Sequence, residues 1–133
     1  MSPMKFLIKI MKSYTDIEQS KKLAEILPIE SADMWWSKNF IYYNPTAAIG
    51  ISAEYSNVYT YKFGEDDIPC WSLAALLSVF SLPKLELDEQ EDGERGWFVS
   101  HYTDDYRYDS YYRDEPIDAC YNLILKLKER NLL

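Results

Sequence analysis

Three short runs, Leu85-Glu86-Leu87, Gly96-Trp97-Phe98-Val99 and Tyr106-Arg107-Tyr108-Asp109-Ser110-Tyr111-Tyr112, follow one another with only polar links between them. Then comes Pro116-Ile117-Asp118-Ala119-Cys120-Tyr121-Asn122-Leu123-Ile124-Leu125-Lys126-Leu127, with no break. The first three are rich in aromatic and β-branched residues and alternate, which predicts strands. The link Asp88 to Arg95 contains Asp92-Gly93, so the first two strands form a hairpin with a long acidic tip. In the last run Ile117, Cys120, Ile124 and Leu127 fall on one helical face with Leu123 beside them. Asp114 is the expected cap and Pro116 lies in the first turn. Asp118 near the start and Lys126, Lys128 and Arg130 near the end complement the helix dipole. Strands grouped in a run and closed by one helix point to an α+β fold rather than alternating βαβ units.

The same reading extends upstream. Pro69 to Phe80 is apolar almost all round, which predicts a short central helix opened by Pro69 and ended by Pro83. Trp35 to Phe63 is aromatic and β-branched, broken at Asn44-Pro45 and near Glu54 to Asn57, so two or three antiparallel strands are expected there. Tyr59, Tyr61 and Phe63 share a face of the last. Thr15-Asp16-Ile17-Glu18 has capping-box form and starts a helix that runs to about Leu27, stopped by Pro28. Its buried stripe is Ile17, Leu23, Ala24, Ile26 and Leu27, with Glu18 to Lys22 and Lys21 to Glu25 paired on the wet side. Phe6, Ile8 and Ile10 alternate in a first strand over 5–11. The expected order is β-α-ββ(β)-α-βββ-α, a mainly antiparallel sheet with about three helices packed on it. No repeat or linker divides residues 1–133, so one domain is expected.

The chain has 133 residues, 47% apolar and 27% charged, enough for one core. Its net charge is −8, and the imbalance is uneven. Residues 1–62 hold seven Lys and six acids, whereas residues 63–133 hold seven basic and sixteen acidic residues. Such a surface repels phosphate backbones and anionic lipid, which disfavours direct nucleic-acid binding and a polybasic membrane anchor. A basic protein partner fits better. The longest aliphatic run, Leu73 to Leu77, is far short of a membrane span. Lys9 interrupts the apolar N-terminal stretch, and no small-residue cleavage site follows it. With only Cys70 and Cys120, in no metal or redox spacing, a cytoplasmic setting is expected.

No motif supplies chemistry. A single histidine, His101, excludes two-histidine zinc helices by counting. Aligning a calcium loop on Gly93 puts Gln90 at the third position and Val99 where the bidentate Glu must sit, so its strongest ligand is missing. Gly50, Gly64, Gly93 and Gly96 form neither a dinucleotide fingerprint nor a phosphate loop. Asp66-Asp67 and Asp104-Asp105 lie in polar turns, without the apolar pocket that separates the pKa values of catalytic carboxylates. No cofactor and no metal ligand set is therefore expected. One sharp catalytic arrangement can be drawn: Cys70 activated at a helix start, with His101 as its base and Asp104 or Asp105 as orienter. Against it, Trp71 and Leu73 mark the segment as core, and cysteine is commonly buried. Cys120 lies on the apolar stripe and reads as packing.

Tyrosine is the compositional anomaly, with twelve residues, and those between Tyr102 and Tyr112 alternate with Asp and Arg. Tyrosine gives rigid contact area with a polar tip, so Tyr106, Tyr108, Asp109, Tyr111 and Tyr112 are candidate binding residues. The competing reading is a half-buried strand whose phenols reach water. In Trp35-Trp36 adjacent strand residues face opposite ways, which leaves Trp36 for a rim, a partner or an overlying loop. A homodimer through an exposed tryptophan or a free sheet edge also fits the sequence.

Lys22 to Pro28 with Glu30 to Met34, Ile68 to Leu77, and Pro116 to Tyr121 with Leu123 to Leu127 resemble a group of small uncharacterised proteins of Bacteroides-type gut bacteria and their phages or mobile elements. The resemblance covers about a third of the chain and implies a bacterial or phage source, a cytoplasmic setting and an accessory role. It carries over no catalytic or binding residue. The leading expectation is a non-enzymatic accessory protein that binds another protein through the acidic, tyrosine-rich half. Two alternatives stand beside it: a DNA-mimicking inhibitor, since fifteen acids against four basic residues lie between Glu65 and Asp118, and a small thiol enzyme using Cys70.

Overall fold

The computed structural model describes residues 11–43, 66–89, 93 and 95–133. All of the expected first strand but Met11, the strand holding Tyr59, Tyr61 and Phe63, and half of the acidic tip, 90–92 and 94, lie outside the described residues. In chain order the elements are α1 (Ile17–Ala24), a 3-10 turn (Ile29–Ser31), β1 (Met34–Ser37), β2 (Phe40–Tyr43) and β3 (Ile68–Cys70). After them come α2 (Leu73–Leu77), β4 (Lys84–Glu89), β5 (Arg95–Tyr102), β6 (Arg107–Asp109) and α3 (Pro116–Glu129). The class is α+β and the element order agrees with the sequence reading. Among the described residues the strands form two antiparallel sheets of three, ordered β2-β1-β3 and β4-β5-β6.

Local chemistry sets the boundaries. The capping box of α1 forms one residue later than the sequence predicts. Asp16 Oδ1 accepts from the Gln19 amide at 2.8 Å, and the Gln19 side chain accepts from the Asp16 amide at 3.1 Å. Thr15 is unavailable as a cap because it is buried, with its hydroxyl against Ser20 Oγ at 2.7 Å and accepting from the Trp71 amide at 3.2 Å. Ser20 accordingly joins Leu23 on the buried face, and Ala24 is exposed. Pro69 does not open a helix. It pairs opposite Trp35 within β3, and α2 starts only after Ser72, whose hydroxyl accepts from the Ala75 amide at 3.2 Å. Asp114 does not cap α3 either. Glu115 holds the N-cap position without a side-chain cap, because its carboxylate accepts from the Lys12 amide at 2.7 Å, and Pro116 has no amide hydrogen to satisfy. Lys38 and Asn39, both at positive φ, form the two-residue turn between β1 and β2 that matches strand twist.

One apolar cluster joins α1, α2, β5 and α3. Leu23, Trp71, Leu76, Val99, Ile117, Cys120, Leu123, Ile124 and Leu127 are all fully buried in it. The expected stripe of α3 is thus the inward one. Because α3 lies on β5, with Val99 and Trp97 beneath it, the even-numbered residues of β5 must face away from the core.

Candidate functional site

Strand register determines what that second face carries. Glu86 lies opposite Phe98, Lys84 opposite Ser100, Asp109 opposite Ser100 and Arg107 opposite Tyr102. Cross-strand partners share a face, so Phe98 is surrounded by Glu86, Asp109, Arg107 and Tyr102. Phe98 is only 7% exposed although no helix covers it among the described residues. Among the described residues two side chains form the roof. The Arg107 guanidinium lies 5.9 Å from the Phe98 centroid and 5.6 Å from that of Tyr102, and the Tyr112 ring meets Phe98 edge-on at 5.3 Å.

Ionic contacts fix the roof. Arg107 Nε donates to Asp109 Oδ1 at 2.8 Å, and Ser100 Oγ donates to the same oxygen at 2.6 Å. Burial alone would push the Asp109 carboxyl up, but the Ser100 hydroxyl and Arg107 together outweigh it and hold it below its ordinary value. The Tyr112 hydroxyl donates to Asp88 Oδ2 at 3.3 Å. Desolvation and that carboxylate both push its phenol up. Lys84 and Glu86 pair at 2.7 Å. The result is an aromatic platform with a partly neutralised charged rim, a surface able to stack on and hydrogen-bond a partner.

The structure distributes the sequence candidates over four places. Asp109 and Tyr112 belong to the platform. Tyr108 points to the core side, half-buried between His101 and the Arg130 guanidinium, which lies 6.0 Å from its centroid. Tyr106, 66% exposed, leans on Tyr108. Tyr111, 60% exposed, lies under Lys126 at 4.7 Å and Arg113 at 5.6 Å, with its amide on Asn122. Trp36 is in the other sheet, half-buried, donating from Nε1 to the Thr15 carbonyl at 3.1 Å. It has a structural hydrogen bond in place of a free indole. Sequence reasoning missed Phe98, Arg107 and Glu86, although the inward pair Trp97 and Val99 implies that Phe98 faces outward.

The thiol arrangement is not assembled. Cys70 is fully buried on β3, not at a helix start, with its sulfur 3.3 Å from the Thr15 carbonyl oxygen. Burial pushes its thiol up, opposed by the Thr15 and Ser20 hydroxyls, whereas a nucleophile needs it lowered. His101 lies at the end of β5, packed on Phe80, and its Nδ1 accepts from the Ser81 amide at 2.9 Å. Burial lowers its pKa. Cys120 is buried as expected, and burial pushes its thiol up to about 12. Among the described residues no three His, Cys, Asp or Glu side chains converge as a metal site. No helix among them is long and apolar enough to cross a membrane.

The described carboxylates are also divided. Asp16 and Asp118 bind Lys12 where α1 meets α3, Asp33 binds Ser72 at the cap of α2, and Glu86, Asp88 and Asp109 lie on the sheet face. A duplex-like array would need them spread over one surface. Comparison with protein-family models, with curated proteins and with solved structures finds no match, so the functional reading rests on this chain's own geometry.

Proposed function

We propose that this chain is a non-enzymatic accessory protein that works by binding a basic protein partner through the outer face of the β4-β5-β6 sheet. The supporting observation is Phe98, held on a face that no described helix covers and roofed, among the described residues, by Arg107 and Tyr112. Aromatic and arginine side chains of this kind carry most of the binding energy in protein interfaces. Tyr112, 42% exposed, extends the contact area. The basic character of the partner follows from the adjoining connection, where Asp88 to Arg95 holds five acids and one arginine.

Affinity capture with the wild-type chain and with an Arg107→Ser/Tyr112→Ala variant, each at low and high salt, tests the reading. A partner retained by the wild type, lost with the variant and released by salt supports it. Equal retention by both chains, or no partner at any salt, overturns it.

A further inference from the structure

Away from the platform, the segment after α1 and the outer side of α2 enclose a groove of about 720 Å³. Leu27, Pro28, Ala75 and Val79 give it a chiefly aliphatic lining. Its volume falls within the roughly 300–1,000 Å³ range of small-molecule sites. Among the described residues lining it, the charged side chains are Glu30 and Asp33, both acidic. Asp33 is fixed at the groove by accepting from the Ser72 amide at 2.9 Å and from the Ser72 hydroxyl. These bonds orient the carboxylate, and no lysine or arginine is among the described residues that line the groove. An anionic or zwitterionic occupant would bring its carboxylate against these two. An apolar body with one cationic head meets both the lining and the charge.

We propose that this groove binds a small amphiphilic organic cation, with its ammonium group near Glu30 and Asp33 and its hydrocarbon portion between Leu27 and Val79. The site shares no residue with the sheet platform, so either can fail without the other. The test is amide NMR titration of the full chain with n-octylammonium, octanoate and octanol. Saturable shifts confined to residues 27–33 and 73–79 are expected with octylammonium, with octanoate weaker by about tenfold or more. Glu30→Gln should weaken octylammonium about two- to fivefold. Ala74→Trp, at an exposed lining position, should block the groove and abolish the shifts. Octanoate or octanol binding as tightly as octylammonium, shifts unaffected by Ala74→Trp, or absence of saturation up to about 5 mM would each overturn the proposal.

Discussion

Replacing Asp118 with alanine tests how the N-terminal segment is fastened to the last helix. Asp118 Oδ1 accepts from Lys12 Nζ and from Gln19 Nε2, both at 2.7 Å, so one carboxylate in the first turn of α3 gathers groups from before and within α1. The Lys12 and Asp118 side chains are 35% and 28% exposed, so the ion pair is discounted to about 0.5–1 kcal/mol. The Gln19 bond adds about 1 kcal/mol, and an acid at a helix start about 0.3–1 kcal/mol. Losing one negative charge from a chain at −8 returns a few tenths through reduced self-repulsion, which leaves a net loss of about 2 kcal/mol. In urea unfolding this moves the midpoint down by roughly 1 M at an ordinary slope. Burial opposes the charge on Lys12, but Asp118 and Asp16 still hold its pKa above 10.5. A raised lysine contributes fully at neutral pH and loses its contribution only as pH rises through that raised value. Asp118→Asn should keep part of the Gln19 bond and cost about half as much, and high salt should shrink the difference between wild type and Asp118→Ala. A loss below about 0.5 kcal/mol at low salt would refute the bracing role.

Three further outcomes follow from burial and ionisation. Leu123→Ala, at a fully buried position on α3, should cost about 2–5 kcal/mol by thermal or urea unfolding, whereas Lys128→Ala on the exposed side should stay within about 0.5 kcal/mol. Both thiols should resist Ellman's reagent at neutral pH in the native state and react on unfolding. Because burial lifts Cys120 from 9.0 to about 12, the unfolded chain loses that proton first, and stability should fall as pH rises between those values. Asp109 has a folded pKa below 3.8, so its contribution is present above that value and is lost as pH falls through the depressed one. Asp109→Asn should flatten the acid side of the stability profile in that window.

Periodicity made much of the fold legible. The inward stripe of α3, the β4-β5 hairpin and the opposed faces of Trp35 and Trp36 all follow from the side-chain repeat. Element starts were less legible, because capping is a competition that distant residues decide. Thr15 looked like the cap of α1, but Trp71 and Ser20, brought close by the fold, take its hydroxyl. Pro69 looked like a helix opener, yet Ser72 is the residue with a hydroxyl placed to cap. The tyrosine ribbon failed as a unit for a related reason. Strand geometry ends at Asp109, so Tyr111 and Tyr112 no longer alternate with Tyr106 and Tyr108 and are carried to different surroundings. The platform could have been found by aligning the two hairpin arms, which sets Glu86 across from Phe98, but Arg107 above the ring depends on the β5-β6 register, which no local pattern encodes.

The division between platform and acidic connection predicts separate kinetic roles. On the platform Lys84 pairs with Glu86 and Arg107 with Asp109, so these charges largely cancel and, on the proposed reading, what the platform offers a partner is contact area. The connection from Glu89 to Arg95 carries a net negative charge, and such charge reaches a partner over roughly a Debye length of 10 Å at 0.1 M salt. Charge outside the contact area chiefly speeds encounter, and buried aromatic contacts chiefly slow release. With a captured partner, surface plasmon resonance should therefore show association slowing by about tenfold or less when Glu89, Glu91 and Asp92 become Gln, Gln and Asn, with dissociation nearly constant. Tyr112→Ala should instead speed dissociation, and that change should persist at high salt. Were the acidic substitutions to act on dissociation instead, the connection would be part of the contact itself and the two roles would collapse into one.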